Sequence, residues 1–281
     1  MTTFTQAYEN INQKHIGAGT THQDWLTQRF GEVQAKIKPE FHQAVGLLSK
    51  QINSWASMPH LEIEARIGYF DEDAEGNATP RFDTDIGQEW FTAIREVLDV
   101  DEDVINKETS VSTDYIAGFN RLSVTEGGTR CAMTKKTLEH SNFRYVNSPF
   151  DIRVAFALEK PITVEDFAKS AQKSGIAPDS TRRKKTRWSY HMKTWRFDLT
   201  KVEQTKDGIQ DQTFQVEIEA KLENIPYVDY VYMADSLLLK IAKIVNICEK
   251  EEADERREMT PLDKLNKKHM SLEQAMAALA V

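Results

Sequence analysis

The 281-residue chain is expected to be α+β and mainly β: a closed antiparallel β-barrel of about eight strands, its interior a charged tunnel, flanked by helices from the N- and C-terminal segments. Three observations predict this. Between Leu61 and Leu222, short segments alternate apolar and charged side chains with the two-residue period of strands. The charged faces concentrate Arg and Glu, where a merely solvated face mixes Ser, Thr, Gln and Lys. Before and after this region the apolar spacing turns helical.

Taken in order, residues 1–58 read as a helical extension. Asp24 can cap a helix, and Trp25, Phe30, Val33, Ile37, Phe41, Val45 and Leu48 follow at helical spacing, with Pro39 expected to break or kink it. Residues 59–248 read as the barrel domain. Its strands are expected near Leu61–Gly68, Thr109–Tyr115, Asn120–Thr125, Cys131–Leu138, Asp151–Leu158, Lys185–Met192, Trp195–Glu203 and Thr213–Leu222. Glu126-Gly127-Gly128 and Asp207-Gly208 mark turns, and residues 71–77 an acidic loop. Ile86–Leu98 and Thr163–Ser174 are expected helices, the second opened by a Thr163/Asp166 capping box. Val228–Lys250 is a long apolar-periodic helix, and residues 249–281 form a charged helical tail with a small helix at Ser271–Ala280.

Composition narrows the function. The chain is 40% hydrophobic and 28% charged, with a net charge of −8, so broad coating of nucleic acid is a poor fit while a local basic surface is not. No apolar stretch approaches the roughly 20 residues of a membrane span, and the first residues lack the apolar core of a secretion signal. Cys131 and Cys248 are too few for a disulfide scaffold or a cysteine-rich zinc site, so a reducing, intracellular setting is expected. The histidines are scattered without metal-like spacing. Cys131 is expected to be a buried structural thiol, and Trp188, Trp195 and Tyr190 to pack outward rather than stack on a base.

The strand faces carry the chemistry. Glu62, Glu64 and Arg66 share one face, as do Gln215, Glu217, Glu219 and Lys221. Arg183, Lys185, Arg187 and Ser189 share another, and Arg196, Asp198 and Thr200 a fourth. Asp151, Arg153 and Glu159 share a parity. Charges enclosed in a barrel must pair or hold ions. Acidic strands opposite basic ones suit a divalent metal on a polyphosphate, carboxylates being ligands for Mg²⁺ or Mn²⁺ and guanidinium groups for phosphate.

In this order the segments Glu62–Gly68, Arg183–Tyr190, Arg196–Thr200 and Val216–Glu219 resemble the triphosphate tunnel metalloenzymes, specifically the metal-dependent RNA 5′-triphosphatases of fungal and large-DNA-virus mRNA capping. The resemblance spans roughly residues 60–245. It implies Glu62, Glu64 and Glu219 as metal ligands and Glu217 as the residue that holds or activates the attacking water. It implies Arg66, Arg121, Lys135 or Lys136, Arg183, Lys185, Arg187 and Arg196 as phosphate-binding groups, with Lys185, Arg187, Arg196 and Glu219 taking part in catalysis. Strand parity leaves Lys135 and Lys136 both open. Asp198 is expected to orient an arginine, and Glu159 to be a structural acid. Gln215 stands where the family often has a third glutamate. The implied activity is removal of the γ-phosphate from 5′-triphosphate RNA, with nucleoside triphosphate hydrolysis as a side activity. The alternatives are a tripolyphosphatase or thiamine-triphosphatase-like tunnel enzyme, and a non-catalytic RNA-end-binding subunit. A guanylyltransferase is the expected protein partner, docking on the terminal segments, and the nucleus or a viral replication site or virion the expected location.

Overall fold

The computed structural model describes residues 32–72, 78–144, 150–175, 182–206, 209–221 and 229–258. Its elements are α1 (Glu32–Trp55), β1 (Leu61–Glu72), β2 (Ala78–Asp83), α2 (Gln88–Asp99), β3 (Asn106–Ala117), β4 (Asn120–Thr125), β5 (Arg130–Arg144), β6 (Asp151–Ile162), α3 (Val164–Ser174), β7 (Arg183–His191), β8 (Trp195–Lys206), β9 (Ile209–Ala220) and α4 (Tyr230–Glu258). The Asp24 cap, the turn at Asp207-Gly208 and the helix expected at Ser271–Ala280 lie outside the described residues.

The strands run β1-β6-β5-β4-β3-β7-β8-β9, every neighbouring pair antiparallel, and β9 pairs back onto β1. Closure removes both sheet edges. The strand missing from the sequence reading is β2, which pairs with the far end of β1 outside the barrel. Its six residues include Pro80 and carry no sustained alternation, so they gave no strand signal.

The hydrophobic core lies outside the barrel wall. Ile63, Ala65 and Ile67 of β1, Val154 and Phe156 of β6, Phe197 and Leu199 of β8 and Val216 and Ile218 of β9 are buried together. Over them pack Leu48 and Ile52 of α1, Phe91, Ile94 and Leu98 of α2, and Leu237, Ile241, Ile244 and Val245 of α4. Trp195 belongs to this layer, its indole N–H donating to Ser236 Oγ at 2.9 Å, and Tyr190 donates to Asp99 at 2.8 Å. α1 runs through Pro39 without a break, and α4 continues through the charged run to Glu258. α3 covers the opposite wall with Phe167 against Ala117 and Ala132. Its start matches the expected capping box, Thr163 Oγ1 accepting from the Asp166 N–H at 3.0 Å, and Gly175 ends it at φ +64°.

A β-bulge between Thr137 and Glu139 decides which side chains of β5 enter the lumen. Before it, Lys135 pairs with Glu159 on the inner face; after it, Glu139 and Ser141 pair with Phe156 and Val154 on the outer face. There Glu139 accepts from Gln51 Nε2 at 2.7 Å and Trp55 Nε1 at 3.0 Å, and Ser141 Oγ donates to Gln51 Oε1 at 3.0 Å. These bonds fasten α1 to the barrel.

Gly68, on the lumen face of β1, lets β2 approach. A Cβ there would stand 2.0 Å from the Asp83 carbonyl oxygen, whereas one at Gly46, within α1, meets nothing within 4 Å. Gly68→Ala should therefore lower stability by about 1–3 kcal/mol, and Gly46→Ala should raise it by up to about 1 kcal/mol. Paired urea denaturation curves check the opposite signs; equal effects would mean that β2 moves aside freely.

Candidate active site

Strand parity turns one side of each strand inward, and register decides who meets whom. Glu64 is the direct cross-strand partner of Glu219, and Arg66 of Glu217, across the β1–β9 closure. On the other flank Glu62 and Glu64 face Ala157 and Ala155 of β6, small residues that leave room beside the acids. On β7 and β8, Arg187 lies opposite Thr200, and Ser189 opposite Asp198.

Most of the lumenal charges form one connected network, with the Lys185–Asp114 and Arg183–Gln204 contacts beside it. The Lys135 ammonium sits between Glu62, Glu64 at 3.1 Å and Glu159 at 3.7 Å, in direct ion-pair contact with Glu62. Arg121 also pairs with Glu159, at 3.3 Å. Arg66 bridges Glu64 at 3.0 Å and Glu217 at 2.9 Å. Arg187 bridges Asp198 at 3.1 Å and Glu217 at 3.7 Å, and Arg196 bridges Asp198 at 2.9 Å and Glu219. Asp198, fully buried, thus aligns two arginines and accepts from Ser189 Oγ at 2.7 Å. Lys185 pairs with Asp114 at 2.7 Å, and Arg183 donates to Gln204 at 3.1 Å.

Enclosure splits the acids. Glu217 is held down to about 2: burial raises it, and Arg66, Arg187 and Lys185 outweigh that burial. Glu62 is pushed up to about 8, first by burial and then by Glu64, with Lys135 opposing. Glu219 is pushed up to about 7 by burial against Arg196. Burial also lowers Lys185 despite Asp114.

Strand register turns the expected residues toward the lumen with the exception of Lys136, and Lys185 and Arg183 stand apart from the paired network there. Lys136 lies on the outer face, opposite Leu158, and is exposed, so the choice falls to Lys135. Cys131 is exposed, not buried, because it begins a strand at the barrel mouth. Asp114 was missed as the partner of Lys185. Its signal was the polar alternation Ser110, Ser112, Asp114 along β3, a strand without the Glu-x-Glu pattern.

Among the described residues, no three acidic, His or Cys side chains stand ready as a metal-ligand set. The expected ligands carry cationic side chains instead: Lys135 on Glu62 and Glu64, Arg66 on Glu64, and Arg196 on Glu219. The donor chemistry still fits a hard divalent cation, since an ammonium already sits between two of these carboxylates.

The closed antiparallel barrel with acids and bases paired inside is also the fold of solved structures. The S. pombe Pct1 RNA triphosphatase in complex with the Spt5 CTD is similar at TM-score 0.58 and 17% identity, over 73% of this chain and 92% of that one. A second structure of the S. pombe Pct1 RNA triphosphatase aligns at TM-score 0.55 and 17% identity, over 78% of this chain and 94% of that one. No curated protein sequence matches significantly. Residues 120–235 match the family described as mRNA capping enzyme, beta chain.

The raised carboxylates give a signed pH effect. Between the ordinary 4.5 and about 8, folded Glu62 holds its proton while the unfolded chain releases it, so the folded state binds more protons. Stability of the metal-free protein should then fall as pH rises across this window. Tm measured from pH 5 to 8.5 should decline, and the decline should be shallower in Glu62→Gln. An identical slope in the variant would remove Glu62 as its source.

Proposed function

We propose that the chain is a divalent-metal-dependent hydrolase that attacks the γ-phosphate of 5′-triphosphate RNA with water, releasing inorganic phosphate and 5′-diphosphate RNA. The observation that carries this is the Glu64–Glu219 pair on neighbouring strands, ringed by Lys135, Arg66, Arg187 and Arg196. Glu62, Glu64 and Glu219 would hold Mg²⁺ or Mn²⁺, which supplies Lewis-acid neutralisation of the phosphate oxygens. Arg66, Arg121, Lys135, Arg183, Lys185, Arg187 and Arg196 bind phosphate oxygens. Phosphoryl transfer depends chiefly on such positioning and charge stabilisation.

Glu217 is ionised throughout the physiological range and has guanidinium groups on both sides. It serves as a fixed hydrogen-bond acceptor that orients the attacking water. Asp198 works through Arg187 and Arg196 rather than on substrate. Lys135 exchanges its carboxylate partners for phosphate oxygens when the substrate enters. A capping guanylyltransferase is the natural consumer of the diphosphate end, with the terminal segments, residues 1–58 and 249–281, as its docking region. Such a substrate arises where RNA chains are initiated, so the nucleus or a viral replication site or virion is the expected location.

Release of labelled phosphate from γ-labelled triphosphate RNA tests the reading. It should require Mg²⁺ or Mn²⁺ and stop on EDTA addition. Alanine at Glu62, Glu64, Glu217 or Glu219 should reduce turnover at least 100-fold, about the loss of one strong transition-state contact, with cooperative unfolding retained. Lys135→Ala should be similarly impaired and Lys136→Ala should not; equal behaviour of the two lysines would overturn the inward assignment of Lys135. Mn²⁺ should also raise Tm of the wild type more at pH 8 than at pH 6, because protons compete for its carboxylates. A Tm unmoved by Mn²⁺ at both values would remove the metal from the proposal.

A further inference from the structure

The lumen has a direction. Along β1 the inward positions run Glu62, Glu64, Arg66, Gly68, Phe70, from acid to base to aromatic. Antiparallel β9, read toward the same end, runs Glu219, Glu217, Gln215, Thr213. On β7 the same direction runs Ser189, Arg187, Lys185, Arg183. The registers make these ends coincide: Gln204 of β8 lies opposite both Asp211 of β9 and Arg183 of β7, and Gly68 of β1 lies opposite Asp151, the first residue of β6. The mouth with Glu62, Glu219 and Glu108 is the more acidic, with Lys135 and Arg196 paired there, and the mouth with Lys185, Arg183, Arg153 and the rings is the more cationic, with Asp114 paired there.

The cationic mouth has a built feature outside the phosphate network. Arg153 faces the lumen beside Arg66 across the β1–β6 ladder. Its guanidinium lies 5.3 Å from the Phe70 ring centroid and 4.8 Å from that of Phe82, two rings themselves 4.9 Å apart. Its Nε donates to Asn142 Oδ1 at 3.0 Å. At this rim Asp151 accepts from the Phe70 backbone N–H at 3.0 Å, and Asp71 pairs with Arg81 at 3.1 Å. β2, which supplies Phe82, is the strand added outside the barrel, and Gly68 is what lets it close over this end.

We infer that the RNA chain approaches through this mouth, with its triphosphate pointing toward the acids, and that Arg153, braced on Phe70 and Phe82, binds the first nucleotides. This rests on the RNA-triphosphatase reading and adds a direction and a residue that selects RNA over a bare polyphosphate. A guanidinium plane braced by rings can stack under a base while its N–H groups meet a phosphodiester. A polyphosphate with no nucleoside attached gives this residue nothing to stack on.

The test compares kcat/KM for triphosphate-ended RNA with that for inorganic tripolyphosphate, using the metal-loaded full chain. Arg153→Ala should lower the RNA-to-tripolyphosphate ratio about tenfold, the size of one base-stacking contact. Arg153→Lys, which keeps the charge but not the plane, should lower it less. His191→Ala, at the acidic mouth, should leave the ratio unchanged. A ratio that falls for His191→Ala and not for Arg153→Ala reverses the direction, and a ratio unchanged in all three variants removes Arg153 from recognition. Fluorescence anisotropy of a labelled 5′-diphosphate oligoribonucleotide provides a readout without turnover. Binding should weaken several-fold in Arg153→Ala and Arg153→Lys, each first checked for an unchanged Tm, and unchanged binding would overturn the inference. A wild type that splits neither substrate would fail the hydrolase reading, while the anisotropy result would still decide the role of Arg153.

Discussion

Ionised side chains enclosed by a protein wall need counter-charges, and that requirement organises this molecule. A carboxylate or guanidinium withdrawn from water costs several kcal/mol unless partnered. Here the partners come from facing strands, so the barrel must close for the charges to be tolerated. The contact of Arg66 with Glu217 spans the β1–β9 seam itself, where three residue pairs complete the cylinder. Network and closure depend on one another. Burial in the outer layer, rather than the ion pairs, is what makes the whole favourable, because such pairs seldom yield net stability against an apolar interior.

That division of labour explains the inverted architecture. A small barrel ordinarily fills its interior with side chains that form the core. In this chain the interior is given to charge, so the apolar face of each strand turns outward and needs a cover. α1, α2 and α4 supply it for β1, β6, β8 and β9, the strands that carry most of the acids. α3 covers the β3–β4–β5 wall with a much smaller cluster. The acids thus stand on the best-supported wall. Rigid backing matters there, since carboxylates that share a cation must hold their separations.

Much of this was legible because period-2 alternation reports on both faces at once. Glu62-Ile63-Glu64-Ala65-Arg66 names the apolar layer and the lumen row in five residues, and β4 ends where its sequence says it should. What escaped reading were features that alternation cannot carry. The bulge at Thr137/Glu139 shifts parity within one strand, so local pattern could not choose between Lys135 and Lys136. β2 is stabilised by its pairing with β1 rather than by its own composition. Asp114 depends on a partner four strands further along the chain, and Cys131 on its place at a rim. Pro39, a local breaker by its sequence, lies within α1 without ending it.

The self-pairing of the lumen also bears on how such a site can work. Each carboxylate expected to hold a metal is in contact with a base expected to hold phosphate: Glu62 with Lys135, Glu64 with Arg66, Glu219 with Arg196. A cation taken up by the acids weakens their grip on those bases, and a polyanion taken up by the bases weakens their grip on the acids. Each ligand therefore removes part of the cost of admitting the other, and by linkage the assistance is equal in both directions. Glu217 is the exception. Its guanidinium neighbours, Arg66 and Arg187, have second acidic partners in Glu64 and Asp198, so it can remain ionised while they change contacts. An acid whose charge survives that exchange is suited to hold a neutral water against the phosphorus, whereas an acid that surrenders its counter-ion is suited to receive a metal.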